Sequence, residues 1–367
     1  MKIVHIYKDY YPVLGGIENH VRMVAEEQVR RTHDVTVLVT NRGLRGQVLD
    51  LAGVRLIKAG RLATLASTPL SVSLFTWLRR LPCDIVHLHF PYPIGELAYL
   101  AAGRSRRMVI TYHSDIVRQR GLLPLYDPFL RRVLQRADRI MPTNQRYVET
   151  SPYLRPLATK CTVVPLGIDL SRFAQADLAQ VEAIHRQYGR PLLLFVGRLR
   201  YYKGLDYLIR AMPQIPARLL VVGTGPMEAR WKALTTEMGL TQKVIFLGDV
   251  GDADLPAYYH AADIFVLPSS QRSEAYGVSM LEAMACGVPA VSTELGTGTS
   301  FVNQDGQTGL VVPPCDPAAL AAALNRLLTD DNLRRRMGEA AHQRAWSMFS
   351  LAAMVDRILA VYEDVLC

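Results

Sequence analysis

The chain has 367 residues, which at ordinary domain sizes is material for about two domains. Half the residues are hydrophobic and a fifth are charged, so disorder is excluded as the dominant state, and collagenous and coiled-coil classes fall with the absence of a glycine triplet or a sustained heptad. The formal net charge of +9 is uneven: residues 1–170 hold 24 Lys+Arg against 13 Asp+Glu, a net +11, leaving 18 against 20, a net −2, for the rest.

A basic first half implies an anionic partner there. No helix-turn-helix, zinc-finger, RRM or KH pattern occurs, so nucleic acid is not expected. Clusters such as Arg104–Arg106–Arg107 and Arg131–Arg132 suit anionic lipid or a phosphorylated substrate instead. The five cysteines (Cys83, Cys161, Cys286, Cys315 and Cys367) are odd in number, scattered and never spaced C-x-x-C. They predict neither a disulfide framework nor a zinc ribbon, and fit a reducing cytoplasm. Charge at Lys2 and Lys8 comes too early for a signal peptide, and no apolar run is long enough to span a bilayer.

In chain order, the first strand is predicted over Lys2–Tyr7 and a helix over Glu18–Arg30. Further strands follow over Val35–Val39, Arg55–Lys58, Ile85–His89, Met108–Tyr112, Ile140–Pro142 and Thr162–Val164. The segment Leu62–Leu78 carries no charge but many hydroxyls. It reads as a loop and helix packed on the first sheet, with a lipid-touching surface ahead of Arg79–Arg80 as the alternative. Pro165–Phe173, punctuated by Pro and Gly, reads as a linker. A second series follows: Leu192–Val196, Arg218–Val222, Lys243–Phe246, Ile264–Leu267, Ala290–Ser292 and Gly309–Val311. Such alternation predicts α/β architecture with two doubly wound parallel-sheet domains facing across a cleft. The expected boundaries are 1–170, 171–345 and a C-terminal helix over 346–367 that packs back toward the first domain.

Three segments carry chemistry. In the first, Glu274 and Glu282 flank Gly277, which opens a helix that Gly287 and Pro289 close. Free N–H groups at that helix start can bind an anion, and carboxylates accept well from paired hydroxyls. The bland alternative is two ordinary glutamates beside a helix end. In the second, Gly197 ends a strand and Arg198 and Lys203 follow. Their fork and point charge suit a diphosphate, although a solvated loop would look the same. In the third, Gly15–Gly16 follows the first strand and lets backbone approach a ligand.

Taken together, these segments resemble the retaining nucleotide-sugar glycosyltransferases of family 4, which have the GT-B fold of two Rossmann-like domains. The resemblance runs through Gly15–Gly16, His89, His113, Pro165–Asp169, Gly197–Arg198 with Lys203–Gly204, Gly223–Pro226, and Glu274 with Glu282, in order over nearly the whole chain. It implies that Arg198 and Lys203 hold the donor diphosphate, that Glu274 binds donor-sugar hydroxyls and Glu282 the ribose. Gly15 and Gly16 would approach the diphosphate, and His113 would lie beside the reacting sugar. Gly197, Gly225, Leu281, and the backbone at Gly248 and Val250 would border the donor, with Gly277 and Val278 supplying N–H groups. It further implies a hexosyltransferase that needs neither cofactor nor metal, only a GDP- or UDP-sugar co-substrate. The acceptor would be lipid-linked or a glycan, met at the inner face of a membrane. The stretch after His113 and Glu294–Ser300 most resemble bacterial surface-polysaccharide mannosyltransferases. A UDP-hexose transferase and a nucleotide-sugar epimerase are the alternatives.

Two motifs are expected to be decoys. Asp252-Ala-Asp254 has a metal-transferase form but precedes a helical pattern, so a helix cap is expected. His87 and His89 share one strand face, yet no third ligand is evident nearby in sequence.

Overall fold

The computed structural model describes residues 1–13, 16–65, 68–103, 107–113, 123–274 and 276–367. The chain divides into two compact units, Met1–Gly167 with Leu351–Cys367, and Ile168–Ser350.

The first unit contains β1 (Lys2–Ile6), α1 (Gly16–Arg30), β2 (Asp34–Thr40), β3 (Gln47–Leu51), β4 (Val54–Ala59), β5 (Ala63–Leu65), β6 (Thr68–Leu70) and α2 (Ser73–Arg80). It continues with β7 (Ile85–Phe90), α3 (Pro93–Ala102), β8 (Arg107–Tyr112), α4 (Leu123–Arg136), β9 (Arg139–Pro142) and α5 (Gln145–Thr150). Its seven-stranded sheet has the order β3-β4-β2-β1-β7-β8-β9. All pairs are parallel except β3 with β4. Every residue of β7 is buried, as expected of a parallel strand covered on both faces.

The second unit contains α6 (Leu178–Tyr188), β10 (Leu192–Val196), α7 (Leu205–Ala211), β11 (Arg218–Val222), α8 (Glu228–Glu237), β12 (Val244–Gly248), α9 (Leu255–Ala261) and β13 (Ile264–Leu267). After these come α10 (Val278–Ala285), β14 (Ala290–Thr293), α11 (Thr299–Val302), β15 (Gly309–Val312), α12 (Pro317–Thr329) and α13 (Asp331–Phe349). Its sheet runs β12-β11-β10-β13-β14-β15, parallel throughout. Strand order therefore reverses between β1 and β7 in one sheet and between β10 and β13 in the other. In doubly wound sheets ligands bind beyond the carboxyl ends of strands at these points.

The last helix, α14 (Leu351–Leu366), belongs to the first unit. Leu351, Met354, Val355, Ile358, Val361, Tyr362 and Val365 are its buried positions, spaced three and four apart as one helical face requires. Burial of such side chains contributes about 1.5–3 kcal/mol each. The ion pairs Arg31–Asp356 and Arg139–Asp364 that also tie it down leave their carboxylates exposed, where a pair contributes about 0–1 kcal/mol. Apolar contact holds this helix.

Three sequence expectations need correction. Thr162–Val164 is not a strand: only Cys161 bridges Ile140, while the amides of Thr162 and Val164 donate to Ile140 and Pro142. The segment read as loop and helix contains the β5–β6 hairpin before α2. The antiparallel edge strand β3 was not predicted. Four of its five residues are exposed, so no buried face leaves a period-two signal.

Gly338, within α13, yields a test of this packing. Alanine is favoured over glycine in a helix by about 1 kcal/mol. A Cβ at Gly338, however, would lie 2.2 Å from the Gly287 carbonyl oxygen at the end of α10. Overlap with backbone outweighs propensity, so Gly338→Ala should lower stability by about 1–3 kcal/mol, read as a reduced urea midpoint.

Candidate active site

In the second unit, glycines draw three loops onto the carboxyl ends of β10 and β13. A Cβ at Gly223 would lie 2.3 Å from the Gly197 carbonyl oxygen, and one at Gly225 2.5 Å from that of Leu199. These contacts press the turn after β11 against the turn after β10. Gly204 has φ +64° and leaves only 2.1 Å between a Cβ and the Pro268 carbonyl oxygen. The short 3₁₀ turn Tyr201–Lys203 is thereby delivered to the end of β13.

There the Lys203 Nζ meets Glu274 Oε2 at 2.7 Å. The Ser269 hydroxyl donates to the same oxygen at 3.1 Å, and the Thr297 hydroxyl to the Glu274 carbonyl at 2.8 Å. Lys203 is 9% and Glu274 8% exposed, a depth at which either charge needs the other. Arg198 stands on the same loop, exposed, its guanidinium without an ion-pair or hydrogen-bond partner among the described residues.

Gly277, at φ +78°, starts α10 with no side-chain cap. A Cβ there would lie 2.9 Å from Leu267. Val278 is exposed, whereas Leu281 is fully buried and packs in the core, so its side chain has no free surface for a donor. Glu282, one turn into α10, accepts from the Tyr259 hydroxyl at 2.7 Å and from Arg172 at 3.3 Å. Burial pushes its carboxyl up, and the Tyr259 and Arg172 contacts oppose that. Arg172 also pairs with Asp252 at 3.3 Å and lies over the Phe173 ring. Gly248, with φ +70°, ends β12, and Val250 is half-buried two residues on.

The expected cap at Asp252-Ala-Asp254 is not made. Asp254 stands at the N-cap of α9 without a side-chain cap bond, and Asp252 is engaged by Arg172. Arg172, Tyr259 and Ser269 went unnoticed in the sequence. Arg172 falls in a stretch read as linker, and the other two carry no spacing signal.

The first unit gathers imidazoles at the β1–β7 reversal. His5 on β1, His87 and His89 on β7, His20 on α1 and His113 just after β8 form one cluster, all buried except the half-buried His113. His5 Nδ1 is 3.0 Å from His89 Nε2, and His5 Nε2 is 2.7 Å from Gln28 Oε1. His89 Nδ1 is 3.3 Å from His113 Nε2. His87 bonds the Tyr362 hydroxyl and the Thr111 hydroxyl, each at 2.6 Å. Neither nitrogen of His20 has a partner among the described residues. The sequence offered His87 and His89 no third ligand; the structure supplies His5 to that pair, and sets His20 and His113 beside His89. Each trio holds three nitrogens within 4.8 Å of one another. A cation in the first would have to displace hydrogen bonds already made by all three rings.

Gly16 is the first residue of α1, with no atom within 4 Å of a Cβ built there; packing does not demand a glycine. Gly15 and the residues that follow His113 in the mannosyltransferase-like stretch lie outside the described residues.

Desolvation holds these histidines neutral. It lowers His5 to about 4 and His20 to about 3, and sets His87, His89 and His113 well below the usual 6.5. Because the folded values lie below the unfolded ones, their stabilising effect is complete above pH 6.5 and is lost as pH falls. Each group contributes a slope of up to about 1.4 kcal/mol per pH unit. Glu96, raised to about 8 by burial, and Glu282, also raised by burial, act in the opposite sense, two carboxyls against the five imidazoles of the cluster. The urea midpoint should therefore fall from pH 7 to pH 5, and fall less steeply in His20→Phe.

The profile for Glycosyltransferase Family 4 matches residues 14–172, and that for Glycosyl transferases group 1 matches residues 180–344. The chain is 37% identical to the D-rhamnosyltransferase WbpZ of Pseudomonas aeruginosa, over 95% of this chain and 92% of the relative. It is 34% identical to the O-antigen chain mannosyltransferase C of Escherichia coli, over 100% and 99%. Among solved structures, a glycosyltransferase from Rickettsia africae matches at a TM-score of 0.79 and 19% identity, over 100% and 98% of the two chains. Two parallel doubly wound units, a glycine-drawn cation loop and these likenesses over essentially the full length place the chain in glycosyltransferase family 4, as a hexosyltransferase enzyme of GT-B fold.

Proposed function

We propose that the enzyme moves a mannosyl group from GDP-mannose to a lipid-linked or polysaccharide acceptor, with retention and without a metal ion. The observation that carries this reading is the loop after β10. Gly204 holds it against the end of β13, Lys203 is anchored on Glu274, and the Arg198 guanidinium has no partner among the described residues. When the bond between the anomeric carbon and the diphosphate breaks, its electron pair goes to the phosphate oxygen. Preorganised cations stabilise that charge without a divalent ion. The acceptor hydroxyl then attacks from the face the phosphate leaves and gives its proton to that phosphate. The uncapped start of α10 adds N–H donors. The mannosyl preference is supported by the named mannosyltransferase of Escherichia coli. An acceptor at a membrane is supported by the net +11 of residues 1–170 and by exposed Leu62 and Val72, which precede Arg79 and Arg80 in the sequence. No helix among the described residues is long and apolar enough to cross a bilayer.

Transfer assays with GDP-mannose or UDP-hexoses, with and without a lipid-linked glycan, test the reading. An α-mannosylated product from GDP-mannose is expected. Use of UDP-hexose instead, or donor isomerised without acceptor, overturns it. Arg198→Ala should lose about 10²-fold or more in kcat at unchanged stability; near-wild-type turnover would show that the loop is structural. Lys203→Ala should lose as much and also lower stability by about 3–5 kcal/mol, because Glu274 is left buried and uncompensated.

Flotation with vesicles containing anionic lipid examines the membrane contact. Binding at low salt that disappears at high salt is expected, since each cation near such a surface contributes about 1 kcal/mol. Absence of binding at low salt removes the membrane from the proposal.

A further inference from the structure

The histidine cluster has a direction that follows from its hydrogen bonds. Gln28 on α1 donates its amide Nε2 to the Tyr362 hydroxyl at 3.3 Å, which leaves its Oε1 toward His5 Nε2 at 2.7 Å. A carbonyl oxygen can only accept, so His5 carries its proton on Nε2. In a neutral ring Nδ1 is then bare, and His89 must donate to it from Nε2 across 3.0 Å. His89 Nδ1 is bare in turn, and His113 must donate to it from Nε2 across 3.3 Å. The Tyr362 hydroxyl also lies 2.6 Å from His87 Nδ1, and His87 Nε2 lies 2.6 Å from the Thr111 hydroxyl. One amide thus orders three imidazoles, those of His5, His89 and His113.

The chain ends at His113 Nδ1, which has no hydrogen-bond partner among the described residues. That nitrogen belongs to a half-buried ring just beyond the carboxyl end of β8, one strand from the order reversal. His20, buried with both nitrogens unpartnered, lies edge-on against it at 4.9 Å between ring centres. One ring with a bare Nδ1 and a second with both nitrogens unpartnered among the described residues, at a strand's carboxyl end, point to a polar ligand there.

We propose that Gln28, acting through His5 and His89 and braced by Tyr362, is a positioning residue that fixes His113 as a hydrogen-bond acceptor toward a ligand hydroxyl. A bare nitrogen lone pair accepts from a hydroxyl and repels a phosphate or carboxylate oxygen. The site therefore takes a polyol group rather than an anion. The identification of that polyol as the reacting sugar rests on the transfer reading above; the direction of the chain does not.

The test uses the full chain labelled with ¹⁵N-histidine, without ligand, at pH 7. Two-bond ¹H–¹⁵N correlation spectra should show His5, His89 and His113 protonated on Nε2. Gln28→Leu removes the acceptor at the head of the chain. A buried orphan N–H is costlier than an orphan lone pair, so the chain should reverse and place the His113 proton on Nδ1. In sugar transfer, kcat should fall roughly tenfold to a hundredfold, the size seen when a metal-bound histidine loses its outer partner, while the donor KM stays unchanged. A His113 proton on Nδ1 in the unsubstituted protein overturns the proposal. So does a Gln28→Leu chain with unaltered tautomers. If the variant does not fold, the unsubstituted spectrum alone decides. Correct tautomers without any sugar transfer would sink the function reading and leave this one standing; transfer with the opposite tautomer would do the reverse.

Discussion

The second unit depends on one buried charge pair. Lys203 and Glu274 are both buried, each satisfying the other's charge, and they come from loops after two different strands. The pair is possible because glycines at 204, 223 and 225 let backbone approach backbone at distances where a Cβ would collide. Its consequence is division of labour between two cations five residues apart. Lys203 is neutralised and fixes the loop. Arg198 is exposed, and its guanidinium has no ion-pair or hydrogen-bond partner among the described residues.

The two units solve the polar end of a parallel sheet differently. In the second, ionised groups are matched: Lys203 with Glu274, and Arg172 with Glu282 and Asp252. In the first, the same place in the topology holds imidazoles that burial keeps neutral. Charged pairs suit a diphosphate whose charge grows during reaction. Neutral rings with a set direction suit hydroxyls, which must be oriented rather than neutralised.

Much of this was legible in the sequence. Leu192–Val196, Arg218–Val222 and Ile264–Leu267 were read to the residue, because a strand buried on both faces is a short apolar run bounded by turn residues. The proximity of Lys203 and Glu274 was legible through motif order along the chain, not through spacing. Leu281, expected to border the donor, is fully buried, because a helix next to a site also has an inner face, and 281 is on it. Arg172, Tyr259, His5, Gln28 and Tyr362 left no trace, since each acts through a contact made across the fold. Gln28 and Tyr362 are 334 positions apart, and no local pattern encodes such a pair.

That separation bears on how the protein is made. The last helix completes the first unit, while everything from Ile168 to Ser350 forms the second. On the ribosome, the second unit can therefore finish folding while the first still waits for its final segment. Until Tyr362 emerges, Gln28 and His87 have no hydroxyl to meet, and the imidazoles have no imposed direction. The first unit matures last although it is synthesised first, and a chain cut short by a single helix would lose polarity at its histidines with the entire second sheet intact.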